Sequence, residues 1–206
     1  LAAEVGVTLH AGSFVERLPE AGAEAKSLAN TSLVVGADGS VLATYRKIHR
    51  FGFGSGEPVL MEAGRGRVVL PLRLRDGSVV KVALATCYDL RFPHLFRTLA
   101  QAGADILVVP AAFTRTTGQA HWHTLLKARA IETGCFVLAP AQTGHHADGR
   151  DTFGHSLVVA PWGEVLADGG EAPGGLVVRL DLSQVGVARG RVPALRHDRG
   201  FALVEV

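Results

Sequence analysis

The sequence has little cysteine and no long apolar run. Only 2 of its 206 residues are cysteines, Cys87 and Cys135, which is too few for the disulfide framework of a small secreted scaffold. No apolar stretch is long enough to cross a bilayer, and no signal peptide opens the chain. Neither sign of charge dominates, with 21 basic against 19 acidic residues, and the basic residues are scattered. We therefore expect a reduced, cytoplasmic protein that binds neither membrane nor nucleic acid.

The composition instead provides material for a large core. Hydrophobic residues make up 48% of the chain and charged residues 19%. A chain of this length supports one large domain, and we expect a single domain over residues 1–206. The chain opens on Leu1 and enters a strand-like segment almost at once. We therefore expect that a further strand and helix of the domain precede it.

Short apolar segments bounded by turn residues predict many strands. They lie at residues 5–15, 31–36, 41–45, 67–74, 79–85, 104–109, 135–139, 157–160, 164–167 and 176–180. Helical spacing predicts a helix from Pro93 to about Gly103 and another over 118–133, whereas 145–150 reads as a polar loop. Strands that alternate with these helices pair in parallel and are buried. The pattern favours an α/β fold in which two packed sheets are covered by outer helices, a four-layer αββα sandwich.

Cys87 lies where an apolar strand turns into a helix. Backbone N–H groups at such a turn can stabilise a thiolate and a developing oxyanion. A free cysteine is also a common core residue, which is the structural alternative. The polar residues Tyr88, Asp89 and Arg91 follow at once, and an inert core cysteine does not need them. We therefore expect Cys87 to have a lowered pKa and to react with iodoacetamide before Cys135.

Several other chemistries lack their motifs. The segment 154–158 lacks the last glycine of a serine nucleophile elbow, and the glycines of 52–56 form neither a P-loop nor a dinucleotide fingerprint. His121 and His123 are two residues apart, so they point in different directions on a helix, and no other spacing completes a ligand set. The sequence therefore predicts no metal site and no cofactor.

Lys47 is a candidate partner for the thiol. It follows the predicted strand 41–45 and enters a glycine-shaped loop, so a sheet end could hold it. The alternative is a solvated lysine, which describes most lysines. No histidine occupies a position that marks it as the base for a cysteine nucleophile.

A series of motifs covers nearly the whole chain. They are Tyr45-Arg46-Lys47-Ile48-His49, Gly56-Glu57-Pro58, Cys87-Tyr88-Asp89-Leu90-Arg91-Phe92-Pro93, Pro110-Ala111-Ala112-Phe113-Thr114, His121-Trp122, Ala128-Arg129-Ala130-Ile131-Glu132, Gly154-His155-Ser156 and Pro161-Trp162-Gly163-Glu164. In this order they resemble the nitrilase superfamily of carbon–nitrogen hydrolases, and within it the amidase branch.

The resemblance implies a cofactor-free Glu–Lys–Cys enzyme of the nitrilase αββα fold. Cys87 would attack a small linear amide, and a thioester intermediate would be hydrolysed to carboxylate after ammonia leaves. Lys47 would stabilise the oxyanion with the Tyr88 backbone N–H, and Glu57 would stand beside the triad. The same resemblance assigns Ala112 and Phe113 to the oxyanion and substrate side. It also implies a homo-oligomer, at least a dimer, formed through the two helices that follow Cys87 and Thr117.

The general-base glutamate is the departure from this pattern. In the family it lies before the segment that matches residues 5–14, and its motif context fits none of Glu4, Glu16, Glu20 and Glu24. We therefore expect the chain as written to hydrolyse amides very slowly. Two alternatives stay open: a non-catalytic subunit or binding protein that keeps the fold, and an amide-forming acyltransferase that uses the same thioester.

Overall fold

The computed structural model describes residues 1–19, 27–52, 54–202 and 204. The strands are β1 (Leu9–Arg17), β2 (Leu28–Val35), β3 (Val41–Arg46), β4 (Val68–Arg73), β5 (Val79–Leu84), β6 (Ile106–Val108), β7 (Phe136–Ala139), β8 (Thr143–His145), β9 (Asp151–Phe153), β10 (Leu157–Val159) and β11 (Val165–Asp168). The α-helices are α1 (Ala2–Val5), α2 (Glu57–Leu60), α3 (Pro93–Gln101), α4 (Arg115–Thr133) and α5 (Ser183–Arg191). Short 3₁₀ helices occupy Cys87–Arg91 and Ala194–Arg196.

The strands form three sheets. β1, β2 and β3 make an antiparallel sheet of three strands, and β8 and β9 make a two-stranded hairpin. The six-stranded sheet has the order β11-β10-β7-β6-β5-β4. Its centre is parallel, since β6 pairs in parallel with both β5 and β7, and this confirms the predicted buried parallel pairing.

Two apolar clusters define the layers. In one, Val34 and Tyr45 of the three-stranded sheet pack on Leu84, Ile106 and Phe136 of the six-stranded sheet. The other lies on the opposite face of the six-stranded sheet, where α3 and α4 cover it with buried side chains that include Phe96, Trp122 and Leu126. The predicted α/β sandwich of the nitrilase type is confirmed, with the two sheets packed on each other and α3 and α4 on the outer face of the larger one.

Two features differ from the prediction, and a third segment lies largely outside the described residues. Residues 176–180 form no strand, because their backbone pairs with no strand among the described residues, and Val177 is fully exposed. The polar loop predicted at 145–150 is confirmed at residues 146–150, but the strands β8 and β9 on either side of it were not predicted. β9 is held against the segment after β6 by the Phe153 N–H donating to the Phe113 carbonyl (2.9 Å). Most of the connection expected between residues 18 and 27 lies outside the described residues.

Within the part of the chain that the structure describes, no helix is both long and apolar enough to cross a membrane.

Gly118 tests how tightly α4 packs on the hairpin. A Cβ at this position would lie 2.3 Å from the Phe153 Cβ, whereas a Cβ at Gly186 in α5 meets nothing within 4 Å. Alanine favours a helix over glycine by about 1 kcal/mol, but overpacking a core costs about 1–3 kcal/mol. We expect Gly118→Ala to lower the thermal midpoint by several degrees and the control Gly186→Ala to raise it slightly. Equal stabilisation by both changes in thermal unfolding would show that α4 and the hairpin do not touch.

Candidate active site

The turn at Cys87 lies at one edge of the six-stranded sheet. Because β5, β6 and β7 run in parallel, the segments that follow them meet at that edge. The Cys87 N–H donates to the Pro110 carbonyl (2.9 Å), and the Ala111 N–H donates to the Pro140 carbonyl (3.0 Å). Cys87 has a φ of 49°, a left-handed conformation that is uncommon for a residue with a side chain. The Ala112 backbone N–H lies close enough to its sulfur to act on the pKa of the thiol, which it lowers.

Asp89 joins the cysteine turn to the lysine motif. Its side chain is fully buried. One carboxylate oxygen accepts bonds from the Tyr45 hydroxyl (2.6 Å) and the Thr86 N–H (2.8 Å). The other accepts the His49 backbone N–H at 3.0 Å and contacts His49 Nδ1 at 2.8 Å. The segment from Tyr45 to His49 is thereby fixed against the Cys87 turn, and Lys47 lies in its middle.

Lys47 is buried and paired with Glu57. Its side chain is 3% exposed, and its Nζ donates to Glu57 Oε2 at 2.7 Å. The same oxygen accepts the Phe51 N–H (2.6 Å), and Oε1 accepts from Asn30 Nδ2 (2.7 Å). The solvated lysine considered from the sequence is therefore not what is found.

The pKa of Glu57 lies below its usual range. Burial acts in the opposite direction, but the hydrogen bonds from Lys47 and Phe51, the charge of Lys47 and the Asn30 amide outweigh it. Glu57 is thus held as a carboxylate whose main partner is the Lys47 ammonium.

The expected lowering of the Cys87 pKa is wrong. Burial raises the pKa of this thiol, and the Lys47 charge and the Ala112 N–H offset it only in part. The negative charges of Glu57 and Asp89 act in the same direction as burial. The sequence does not show how deeply the thiol is buried, and burial is the main cause of the rise, so the direction was misjudged.

The remaining predicted residues have distinct surroundings. Tyr88 is the second residue of a 3₁₀ helix, where backbone N–H groups have no partner inside the helix. The Phe113 ring is buried against Trp122, with centroids 4.8 Å apart, and the Arg91 guanidinium lies 5.3 Å from its centroid. Direct substrate contacts by Tyr88, Ala112 and Phe113 stay predictions.

The other N-terminal glutamates have partners of their own. Glu16 accepts bonds from Arg46 and Thr31, and the Arg46 hydrogen bond is the main cause that lowers its pKa to about 2. Glu4 is exposed and pairs with the chain's amino terminus at 3.4 Å. Glu20 and Glu24 lie outside the described residues.

Sequence reasoning missed the roles of Asp89 and Asn30. Asp89 stood in the polar cluster after the thiol, so its proximity to Cys87 was visible, but its bonds to Tyr45 and His49 join residues 44 and 40 positions apart. Asn30 offered no signal, because it is one polar residue among several in the segment leading into a predicted strand.

A cavity of about 500 Å³ lies further along the same sheet edge. It is lined by residues that follow β7, precede β10 and follow β11, among them Gln142, His146, Ser156, Gly170 and Leu176. The described hairpin β8–β9 supplies His146 from its tip, so the cavity lies between the hairpin and the strand ends.

Comparison with known proteins shows which family and which curated proteins this chain is similar to. The family model for carbon-nitrogen hydrolases matches residues 1–190. Among curated proteins, the deaminated glutathione amidase of Synechocystis sp. is 42% identical over 197 residues, which cover 93% of this chain and 70% of the relative. The mouse enzyme of the same name is 42% identical over 204 residues, 97% of this chain but 62% of its own length.

Solved structures agree. The NitFhit protein of C. elegans superimposes with a TM-score of 0.79 at 36% identity, covering 96% of this chain and 48% of that one. A variant of the amidase from Nesterenkonia sp. AN1, with the acetamide moiety of fluoroacetamide added covalently at its active-site cysteine, gives 0.76 at 30% identity, covering 96% and 66%. This chain thus covers about half of the first structure and about two thirds of the second.

The chain belongs to the carbon–nitrogen hydrolase family. The resemblance to the amidase branch of the nitrilase superfamily is confirmed, and so is the predicted class of function, hydrolysis of non-peptide carbon–nitrogen bonds in amides.

Because the pKa of Cys87 is raised, the rate at which iodoacetamide labels it should depend strongly on pH. Below its pKa the thiol is mostly protonated, so the thiolate fraction rises about tenfold per pH unit. In a Cys135→Ala background, we expect the rate of iodoacetamide labelling to rise steadily up to about pH 9. In the unmodified chain Cys87 should still react before Cys135, which has no exposed surface. A plateau in the labelling rate near neutral pH would mean that the thiolate is stabilised after all.

Proposed function

We propose that this chain cleaves a small linear amide through a thioester on Cys87. The observation that carries this proposal is the buried Lys47–Glu57 pair, fixed through Asp89 beside a thiol that sits at a left-handed turn. Burying a lysine is costly unless it is paired, so a fold has little reason to hold this cation beside a cysteine without a chemical role.

The proposed reaction has two halves. The Cys87 sulfur attacks the amide carbonyl, a C–S bond forms, and the C–N bond then breaks as the nitrogen leaves with a proton as ammonia. Water attacks the resulting thioester, releases the carboxylate and returns the proton to sulfur. In both halves negative charge develops on the carbonyl oxygen, and donors aimed at that oxygen stabilise it.

Lys47 and the Tyr88 N–H are the proposed donors to this oxyanion. An ammonium group carries three N–H donors, and Glu57 occupies one of them. The remaining donors are free to turn toward the substrate. Glu57 therefore acts by orienting Lys47, and Asn30 acts by orienting Glu57.

Proton transfer needs a base, because a raised thiol pKa leaves Cys87 protonated at neutral pH. Glu57 is poorly suited, since three donors already bind its two oxygens. We propose that the base is a glutamate outside residues 1–206 and that these residues form one domain with it. The non-catalytic alternative rests on the same need for a base that Glu57 does not meet. The acyltransferase alternative would need an amine in place of water.

The proposed substrate is an amide about as large as deaminated glutathione, the compound in the names of the relatives. The cavity of about 500 Å³ at the same sheet edge is lined by none of Cys87, Lys47 and Glu57, so the names of the relatives carry this proposal.

We also propose a homo-oligomer in the cytoplasm, paired through the surface of α3 and α4. Ile131 on α4 supports this proposal, because it is a large apolar side chain that is 58% exposed.

Covalent labelling of Cys87 tests the nucleophilic attack by its sulfur separately from turnover of an amide. We expect fluoroacetamide to add one carbamoylmethyl group to Cys87, with loss of fluoride, as read by intact mass and peptide mapping. Lys47→Met should slow this at least tenfold, since it removes the positive charge nearest the sulfur. Cys87→Ala should form no adduct, with Cys135 as the internal control.

Ammonia release is then measured with deaminated glutathione and small carboxamides. Without its base the chain should turn over about 10²–10⁴-fold more slowly than its relatives, and Cys87→Ala should abolish the remainder. If the unmodified chain turns over at the full rate and Glu57→Gln abolishes that turnover, Glu57 is the base. No adduct and no turnover would leave the non-catalytic binding protein.

The oligomer is tested by light scattering at micromolar concentration. We expect at least a dimer, with Ile131→Glu shifting the mass toward the monomer because a buried charge would oppose pairing. The exposed Val187 of α5 provides the control, since Val187→Glu should leave the mass unchanged. A monomer for the unmodified chain would contradict this interface.

A further inference from the structure

Two imidazoles and a carboxylate meet outside the site described above. His123 comes from α4, His155 from the segment between β9 and β10, and Asp168 from the end of β11. His123 Nε2 lies 2.8 Å from Asp168 Oδ2, and His155 Nδ1 lies 2.9 Å and 3.1 Å from the two carboxylate oxygens. The ligand-capable atoms of the three side chains all fall within 4.8 Å of one another.

The backbone holds His155 in place. Its φ of 55° is left-handed, an uncommon conformation for histidine. Its N–H donates to the Gly170 carbonyl (2.7 Å), and its own carbonyl accepts from the indole N–H of the fully buried Trp122 (2.8 Å). The Gly170 N–H in turn donates to Asp168 Oδ1 (2.9 Å). The imidazole and the carboxylate are therefore aimed at each other by fixed neighbours.

One aromatic side chain lines the cluster. The Phe153 ring stacks on His155 with centroids 4.3 Å apart, and its edge meets the His123 ring at 6.0 Å. The three polar side chains keep between 23% and 37% of their surface exposed. The cluster thus has an apolar wall on one side and an opening to solvent on another, which leaves room for a water ligand.

We propose that His123, His155 and Asp168 bind a divalent transition-metal ion of the Zn²⁺ class. Two nitrogens and one oxygen form the donor set that Zn²⁺ prefers, whereas Mg²⁺ and Ca²⁺ take oxygen ligands. Bonds of about 2.0–2.1 Å in a tetrahedron separate the donor atoms by about 3.3 Å. The observed histidine–aspartate separations of 2.8–3.1 Å need to open by a few tenths of an ångström. The two imidazole nitrogens lie within 4.8 Å of each other and need to approach to the same separation of about 3.3 Å.

The hydrogen bonds seen here do not compete strongly with a metal. A neutral imidazole carries its proton on either ring nitrogen, so each histidine can move that proton to its other nitrogen and present a lone pair to the ion. Hydrogen bonds alone would also hold the three side chains together, so the experiment must distinguish a metal site from a hydrogen-bonded cluster. The ion would tie α4 to β11 and to the segment before β10, which is a structural role independent of amide cleavage.

The test is titration of Zn²⁺ into the full chain carrying Cys87→Ala, which removes the nucleophilic thiol as a competing ligand. Isothermal titration calorimetry should give one site per chain. His123→Gln and Asp168→Asn should each weaken it at least tenfold, because even a lost outer-sphere partner costs about 10–100-fold in affinity. The matched control is His145→Gln, since His145 pairs with Asp151 (3.0 Å) without a second imidazole. That change should leave the affinity unaltered.

Co²⁺ provides a second readout of the ligands. Bound Co²⁺ should show visible absorption that is lost in His123→Gln and Asp168→Asn, with the fold of each variant checked by circular dichroism. No saturable Zn²⁺ binding would overturn the proposal. So would equal binding by all variants, or a lower thermal midpoint in His123→Gln without any metal effect, which would identify a hydrogen-bonded cluster only.

Discussion

The buried carboxylate of Asp89 is the interaction on which the candidate site depends. It receives donors from the cysteine turn and from the lysine motif, two segments that belong to different sheets. A fully buried carboxylate is tolerated only where several donors satisfy it, and each donor left unpaired would cost about 1–3 kcal/mol. The pairing therefore fixes one sheet relative to the other at the point where Lys47 must reach Cys87. The two apolar faces hold the sheets together, but they do not set this register as sharply, because apolar packing has no direction.

Burial and hydrogen bonding compete at each ionisable group of the site, with different results. At Glu57 three donors, one of which is the buried Lys47 cation, outweigh desolvation, so the group stays charged. At Cys87 one backbone donor and a cation already paired to a carboxylate do not outweigh it, so the thiol stays neutral. A resting site of this kind reacts slowly with bulk electrophiles at neutral pH, and its thiolate forms efficiently only when a base and a substrate are both in place.

Local patterns in the sequence were enough to predict the strands of the main sheet, the helices α3 and α4 and the turn at Cys87. These features depend on alternation, helical spacing and the glycines that end the helices, such as Gly134 with its φ of 59°. The β8–β9 hairpin was missed because Thr143–His145 and Asp151–Phe153 are short and mostly polar, and tertiary contacts decide their pairing. Residues 176–180 have the composition of a strand but no partner at the sheet edge. The cluster of His123, His155 and Asp168 joins residues 32 and 13 positions apart, which spacing rules for metal ligands do not anticipate.

The left-handed backbone at Cys87 also restricts which nucleophiles this position can accept during evolution. A φ of 49° costs roughly 1–2 kcal/mol for a residue with an unbranched Cβ, and a β-branched side chain there is a genuine outlier. Serine fits the same backbone, but its hydroxyl is far less acidic than a thiol and would depend even more on a base. Threonine would add the strain of a β-branched side chain at this positive φ. A threonine nucleophile at this turn therefore carries a conformational cost that a serine does not.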